Sequence, residues 1–268
     1  MSHYQRIACL STEAVETLYA LGAEDVIAGI SGFTVRPPWA REEKTKISGF
    51  SSTNLERILA VEPDLVIGFC DMQADICRDL VKAGIEVHQF NQRTVGGILR
   101  MIAVLAALVQ REEAGKLLIA SLRADIAAAQ TRAAAWTRKP VIYFEEWNDP
   151  LMSGIGWAAE LIAIAGGTDA FPELSVQPGA KERIIADSHD VVARAPDIIL
   201  ASWCGKKFQP TQLAARTGWD AIPAVKNQML FEIKSPDILS PGPAAITEGL
   251  RQISDIIARW QHLQEQQT

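Results

Sequence analysis

The chain has 268 residues, of which 48% are hydrophobic and 22% charged, which is enough to bury a full core in one or two domains. Its 26 basic and 32 acidic residues leave a net charge of −6, which argues against nucleic acid or an anionic membrane surface as the main partner. The composition excludes the disordered, collagen-like and disulfide-scaffold classes, and no apolar run reaches the roughly 18 residues of a membrane span. We therefore expect a soluble globular protein that is not embedded in a membrane.

The predicted elements alternate along the chain between short apolar strands and amphipathic or apolar helices. The predicted strands are residues 7–10, 26–30, 65–69, 87–90, 141–144, 198–202 and 229–233. The predicted helices are residues 12–21, 55–61, 74–83, 96–109, 112–136, 158–165, 190–195 and 244–261. This alternation predicts an α/β protein whose parallel sheets are covered by helices on both faces.

The helix predicted at 112–136 is rich in alanine and leucine and is long enough to be a rigid connection. It divides the chain into an N-terminal α/β lobe at 1–110, a linking helix at 111–137 and a C-terminal α/β lobe at 138–268. A helix, a Pro-Asp turn and a strand recur in both lobes, with Pro63 and Asp64 matching Pro196 and Asp197. We therefore expect two Rossmann-like lobes with a ligand cleft between them. The alternative is a long surface helix on a single domain.

The beginning of the chain and its cysteines bear on the compartment. The first residues lack a basic segment followed by an apolar one, so no secretory leader is visible. The four cysteines include no CxxC pair, and we expect them to be free and buried, as in a reducing compartment. The sequence predicts a cytoplasmic protein, or a periplasmic one if a leader has been left out of it.

Motifs of catalysis are missing from the sequence. There is no GxGxxG after a strand, no Walker loop, no GxSxG and no HExxH, and the four histidines are scattered. We therefore expect no enzyme activity, no metal site and no intrinsic cofactor. One alternative is an enzyme that uses Cys70 or Cys204 as a nucleophile or metal ligand, which requires a thiol of low pKa.

Large aromatic residues stand where predicted strands and loops end. They are Phe33, Trp39, Phe50, Phe69, Trp147, Trp157 and Trp203. Each could be a core residue, but several at the same ends favour a wide, flat ligand held by ring faces. The polar candidates at the same ends are Cys70, Glu146, Cys204, Gly205 and Ser240. Glu145 and Glu146 are either a solvated pair or carboxylates that accept ligand amides or bind a metal.

Two groups of phrases resemble a known family. Residues 35–67 contain Arg-Pro-Pro-Trp, Ile-Ser-Gly-Phe and Asn-Leu-Glu-Arg before the first Pro-Asp turn. The C-terminal half contains Glu-Trp-Asn-Asp-Pro-Leu-Met-Ser-Gly, Trp-Cys-Gly and Ser-Pro-Gly-Pro. Together they resemble the two-lobed, helix-linked substrate-binding proteins that serve ABC importers of cobalamin, haem and iron siderophores. The first group is most similar to the cobalamin branch, and the second to a leaderless cobalamin-binding subgroup.

The resemblance implies binding of a corrinoid, of the cobalamin type, in the cleft between the lobes without chemistry. The rings of Phe33, Phe50, Phe69, Trp147 and Trp203 would then cover the macrocycle. Glu146, Ser240 and the backbone of Cys204 and Gly205 would meet its amide rim. Binding of an iron siderophore or haem on the same fold is the alternative.

The resemblance also bears on a partner. Such proteins present one acidic residue per lobe to an ABC permease, and Glu56 matches that position in the first lobe. Counted back from Pro196, His189 takes the matching position in the second lobe, and Asp190 stands one residue away. This departure and the missing leader favour a cytoplasmic corrinoid carrier or sensor over an importer receptor. For Glu56 the alternative is a helix cap formed by Thr53 and Glu56.

Overall fold

In a computed structural model that describes residues 3–49 and 54–266, the chain forms two compact units, each with a five-stranded sheet. The first unit comprises Met1–Gln92, Gly96–Leu122 and Pro241–Pro243, and the second comprises Arg93–Val95, Arg123–Ser240 and Ala244–Thr268. The predicted α/β class with mostly parallel sheets is confirmed. None of the helices in the described ranges combines the length and hydropathy needed to cross a bilayer.

The first unit is built on a sheet in which every strand pairing is parallel. The strands are β1 (Ile7–Cys9), β2 (Ile27–Ser31), β3 (Lys46–Ser48), β4 (Leu65–Phe69) and β5 (Glu86–Phe90). The helices of this part of the chain are α1 (Thr12–Ala20), α2 (Ala40–Glu43), α3 (Leu55–Leu59), α4 (Ala74–Lys82), α5 (Val95–Leu108) and α6 (Glu112–Ala134). The sheet order β3-β2-β1-β4-β5 places a topological switch point between β1 and β4, where ligands of doubly wound folds bind.

The burial of the first sheet follows from this order. Every residue of the central strands β1 and β4 is buried, whereas the edge strand β5 is buried only at Phe90. Ile47 of β3 and Ile58 of α3 pack with Ala8 and Val66 in one apolar cluster. The strands of β-branched residues were predictable because a strand covered on both faces reads as a continuous apolar run.

The second unit has one antiparallel pairing in an otherwise parallel sheet. Its strands are β6 (Val141–Asn148), β7 (Leu151–Ser153), β8 (Thr168–Asp169), β9 (Ile198–Ala201) and β10 (Leu230–Glu232). Its helices are α7 (Gly156–Ile164), α8 (Pro172–Ser175), α9 (His189–Arg194), α10 (Pro210–Ala214), α11 (Pro223–Lys226), α12 (Ser235–Ile238) and α13 (Leu250–Gln266). Strands β8 and β9 run parallel to β6, β10 runs parallel to β9, and β7 folds back on β6 as a hairpin.

Three details of the strands and the C-terminal helix differ from the sequence prediction. The short strands β3, β7 and β8 were missed because two or three residues show no periodicity. Strand β6 runs four residues beyond the predicted end, through polar residues that a hydrophobic pattern excludes. The C-terminal helix is not uniform, since a π-helical turn at Ala245–Gly249 precedes α13. The division between the two units falls after Leu122, within α6, and the predicted domain limits stay predictions.

The repeated Pro-Asp phrase has the same structural role in both units. In each, the residue before proline has a positive φ, +46° at Glu62 and +45° at Ala195, in the turn between the helix and the strand. The following aspartate then accepts hydrogen bonds from the start of the neighbouring strand. Asp64 accepts from the backbone N–H of Gln5 at 2.6 Å, and Asp197 accepts from that of Val141 at 2.9 Å. The phrase thus aligns β4 with β1 and β9 with β6.

We expect Asp197→Ala to lower the free energy of unfolding by about 1–2 kcal/mol, because it leaves the Val141 N–H without its acceptor. Asp64→Ala should have a similar effect through the start of β1. Urea unfolding at neutral pH measures both. Asp125→Ala, which removes an exposed carboxylate from α6, is the control and should change stability by less than about 0.5 kcal/mol. Equal stability of all four proteins would contradict this role of the repeat.

Candidate functional site

The carboxyl edge of the first sheet carries two large aromatic rings in solvent. All five strands end on this edge because they are parallel. The loop after β2 is tied to β3 by the Gly32 N–H, which donates to the Ser48 carbonyl at 2.8 Å. Phe33 in this loop is 58% exposed, and Trp39 at its end is 54% exposed. Two large exposed apolar side chains in one loop are candidates for an interaction site.

The other aromatic candidates of the first unit are placed differently. Phe69, the last residue of β4, is 9% exposed and its ring belongs largely to the core. Phe50 lies outside the described residues, so its predicted role stays a prediction. Of the candidates in this unit, the structure therefore brings Phe33 and Trp39 to the surface at the carboxyl edge.

The turn after β4 is strained at a position next to the switch point. Cys70 has φ +67° and ψ 165°, a conformation that residues with a side chain rarely adopt. The turn is held from both sides: the Cys70 N–H donates to the Phe90 carbonyl at 2.9 Å, and Gln89 Nε2 donates to the Cys70 carbonyl at 2.5 Å. Gln73 adds a bond to the Phe69 N–H at 2.7 Å. Cys70 is 2% exposed and both of its backbone polar groups are hydrogen-bonded within the chain, so its predicted contact with a ligand stays a prediction.

A buried carboxyl group in the first turn of α1 was missed by the sequence analysis. Glu13 follows the end of β1 and is 1% exposed, with its carboxyl oxygens near the Thr12 hydroxyl and Gln92 Nε2, each at 3.3 Å. Burial raises the pKa of Glu13 to about 7, against the lowering effect of hydrogen bonds from the backbone, Ser11, Thr12 and Gln92. A glutamate in the first turn of a helix usually stabilises the helix N-terminus from an exposed position, so the neighbouring sequence gave no indication that Glu13 is buried.

The carboxyl edge of the second sheet is organised by two adjacent glutamates. Glu145 is 0% exposed and accepts from both terminal nitrogens of Arg216, at 2.6 and 2.9 Å. Glu146 accepts from both terminal nitrogens of Arg183, at 2.5 and 3.0 Å. The Arg183 guanidinium also donates to the Ser153 carbonyl of β7 at 2.7 Å. The expectation of a solvated pair is therefore wrong, because both carboxylates are bound to guanidinium groups.

Two of the three tryptophan candidates in this unit are buried. Trp203 is 2% exposed; its indole N–H donates to Glu145 at 2.9 Å, and its ring packs edge-on against Phe208. Trp157 is also 2% exposed, and its N–H donates to the Ile238 carbonyl at 2.7 Å. This placement favours core packing for both rings, and their predicted contact with ligand remains untested.

The remaining candidates of this edge are accessible. The ring of Trp147 at the end of β6 is half-buried, and its N–H donates to the Asp149 carbonyl at 2.8 Å. Cys204 and Gly205 follow β9 and are exposed, with Gly205 at φ +70°, where a side chain would be strained. Ser240 is half-buried at the end of the second unit's main segment.

The Cys204 thiol does not have the lowered pKa expected of a nucleophile. All four cysteines are free, but the expectation that they are all buried is wrong, since Cys77 is half-buried and Cys204 exposed. Partial burial and the Glu146 carboxylate raise the pKa of Cys204, whereas a reactive thiol requires a lowered one. Within residues 3–49 and 54–266, no three histidine, cysteine or carboxylate side chains are grouped as metal ligands would be.

The residues expected to meet a permease lie at the start of two exposed helices. Asn54 is the N-cap of α3 and accepts from the Arg57 N–H at 3.2 Å, whereas Thr53 of the capping box predicted with Glu56 lies outside the described residues. Glu56 is thus the second residue of α3. Counted in the same way from the N-cap Ser188, the second residue of α9 is Asp190.

Counting back from proline gives His189 because the stretch from the N-cap to the proline is one residue shorter in the second unit, Ser188 to Pro196, than in the first, Asn54 to Pro63. His189 is exposed, and its ring Nδ1 lies 3.0 Å from an oxygen of Asp187, which also accepts from the His189 backbone N–H. Asp190 is exposed in the first turn of the helix. A carboxylate therefore occupies the same helix position in both units.

We expect the buried Glu13 carboxyl group to make stability depend on pH. Because its pKa in the folded chain is about 7, above the ordinary 4.5, the fold gains from the bound proton at acidic pH and loses this gain as the pH rises through about 7. Glu13→Gln should therefore raise the free energy of unfolding by about 2–3 kcal/mol at about pH 8 and by much less at about pH 5. Urea unfolding across this range measures the difference.

Glu42→Gln, in exposed helix α2, is the matched control and should leave the pH dependence unchanged. If Glu13→Gln shifts stability equally at acidic and alkaline pH, the effect belongs to packing and the titration of Glu13 is not its source.

Comparison with known proteins gives one family and several similar structures. The family model described as "Periplasmic binding protein" matches residues 7–236. A curated relative, the vitamin B12-binding protein of Vibrio campbellii, is 26% identical over 242 residues, which cover 88% of this chain and 84% of the relative. The match supports the resemblance drawn from the sequence motifs.

Two solved structures show the same fold. A possible iron-binding, periplasmic solute-binding protein from Staphylococcus epidermidis superimposes with a TM-score of 0.80 at 20% identity, over 95% of this chain and 98% of that one. The periplasmic haem-binding protein RhuT from Roseiflexus has a TM-score of 0.78 at 22% identity, over 94% and 98%. Because the family match runs from β1 into α12, this chain belongs to the periplasmic binding protein family.

Proposed function

We propose that this chain binds a corrinoid of the cobalamin type as a ligand, without catalysing a reaction on it. The observation that carries the proposal is the pair of exposed rings, Phe33 and Trp39, at the carboxyl edge of the first sheet. The name of the Vibrio campbellii relative supports the corrinoid as the ligand. The family consists of substrate-binding proteins, which supports binding over catalysis.

A corrinoid suits these rings because its macrocycle is wide and its faces are apolar. Covering an exposed aromatic side chain removes apolar surface from water, which is worth about 25 cal/mol per Å², so two rings contribute a few kcal/mol. Both rings are already outside the core, so binding does not require the core to open.

The structure changes which polar groups are candidates to contact the amides of the ligand. Both oxygens of Glu146 accept from Arg183, so a ligand amide would have to share this carboxylate. The exposed backbone at Cys204 and Gly205 and the half-buried Ser240 are the better candidates for the amide rim. In the second unit Trp147 is the accessible ring. Haem or an iron siderophore remains the alternative ligand, because the same fold occurs in a protein named as haem-binding.

We expect isothermal titration to give micromolar or tighter binding of cyanocobalamin, with weaker or no binding of haem and a ferric siderophore. Phe33→Ala and Trp39→Ala should each weaken cyanocobalamin about 10- to 30-fold, since each removes a ring whose burial is worth about 1.5–2 kcal/mol. Phe50→Ala belongs in the same series, to test its predicted role.

Leu117→Ala on α6 is the matched control, because it also removes an exposed apolar side chain from the first unit. It should leave the affinity unchanged. Binding of haem or the siderophore with no heat from cyanocobalamin would replace the ligand assignment, and unchanged affinity in both aromatic variants would remove the rings from the site. Absence of binding to all three would overturn the proposal.

We infer further that Glu56 and Asp190 dock the chain on an ABC permease. The supporting observation is that both carboxylates are exposed at the second position of a helix, one in each unit. This arrangement restores the second acidic residue that counting back from Pro196 had missed. It favours an importer receptor over the carrier or sensor expected from the sequence.

We expect Glu56→Ala and Asp190→Ala each to weaken binding to a corrinoid-importing ABC permease in nanodiscs about tenfold, with a slower association rate at low salt. Surface plasmon resonance with corrinoid-loaded protein measures both. His189→Ala is the control that separates the two ways of counting, and it should have little effect. A loss with His189→Ala alone would restore the first alignment. No loss in any variant would favour the carrier or sensor.

A further inference from the structure

The ammonium group of Lys206 lies close to two indole rings at the carboxyl edge of the second sheet. Its ammonium nitrogen lies 5.4 Å from the ring centroid of Trp203 and 6.0 Å from that of Trp147. It also donates a hydrogen bond to Asn148 Oδ1 at 3.2 Å. Trp147 and Asn148 end β6, and Trp203 and Lys206 follow β9, so two neighbouring strands place this group.

The charge of Lys206 is not balanced by the carboxylates around it. Glu145 is bound to Arg216, and Glu146 is bound to Arg183. In the described part of the chain, no carboxylate lies within ion-pair distance of the Lys206 ammonium. The attraction of indole faces is weak for an exposed cation, and the single bond to Asn148 leaves two of the three ammonium donors for another acceptor.

We propose that Lys206 binds an anionic group, a carboxylate or a phosphate, on the rim of the flat ligand of this edge. The inference rests on the proposed function and deepens it by naming a chemical feature of the ligand. A macrocycle against the accessible face of Trp147 would place its rim near the Lys206 ammonium, and a charge-assisted bond there would be stronger than one to a neutral amide.

Corrinoids offer this anion in two ways. Cobalamin carries a phosphodiester in its nucleotide tail and amides on its ring. Cobyrinic acid carries carboxylates on its ring and no phosphate, and dicyanocobinamide carries neither a carboxylate nor a phosphate. These three ligands share the macrocycle and differ in whether they carry a phosphate, carboxylates or no anion. Comparing them therefore shows whether Lys206 binds the phosphate or a carboxylate.

The experiment titrates the wild-type chain, Lys206→Gln and Lys207→Gln with the three corrinoids at low and high salt. We expect Lys206→Gln to weaken the anion-bearing ligand about 5- to 10-fold and to leave dicyanocobinamide unchanged. High salt should reduce the difference. Lys207→Gln removes the same charge from the neighbouring exposed residue and should change none of the three affinities. A loss with cyanocobalamin alone assigns the phosphate, and a loss with cobyrinic acid assigns the carboxylate.

An equal loss with all three ligands, or no loss with any, overturns the inference while leaving corrinoid binding intact. If the wild-type chain binds no corrinoid, the proposed function fails, and haem with its dimethyl ester replaces the ligand set. Haem carries two propionates and the ester carries none. A loss for haem alone in Lys206→Gln then supports the inference, and any other result, including no binding of either, overturns it.

Discussion

The second unit depends on the pairing of two adjacent carboxylates: Glu145 is fully buried, and the side chain of Glu146 is 19% exposed. Glu145 and Glu146 lie where the pairing of β6 with β7 shifts its register, as at a β-bulge. A buried charge is tolerable only when it is matched and hydrogen-bonded, and Arg216 and Arg183 each supply two bonds. Arg183 fixes the β6–β7 hairpin through Ser153, and Glu145 fixes Trp203. The geometry of this edge follows from both pairs.

The first unit also has a buried acidic side chain near the carboxyl edge of its sheet, but this one is not paired with an arginine. Glu13 has hydroxyl and amide neighbours and stands in the first turn of α1, where the helix dipole favours negative charge. Without a guanidinium, its burial raises the pKa to about 7, so the group is partly protonated near neutral pH. The two units thus accommodate a buried carboxyl group differently. The second unit pairs it with a guanidinium, and the first unit buries a carboxyl group that can become neutral.

The sequence predicted the parts of the fold that depend on local pattern. Strand β4 was predicted at its observed limits, and the Pro-Asp phrase indicated the repeat, because both are set by residues close together in the chain. Exposure of the aromatic residues was not predictable in this way. Trp203 is buried because of Glu145, 58 residues away, and Glu145 is buried because of Arg216, 71 residues away. Residue spacing along the chain does not indicate partners so far apart, whereas Phe33 and Trp39 lie in a loop that follows directly from β2.

The two units are alike where they fold and different where their strands end. In both, an aspartate after proline aligns two parallel strands, which is a requirement of the sheet and independent of any ligand. Beyond the strands, the first unit exposes the rings of Phe33 and Trp39, while the second buries Trp203 and places the Lys206 ammonium above it. The repeats therefore agree where the sheet requires it and differ at the strand ends, which are the positions at which α/β folds bind their ligands.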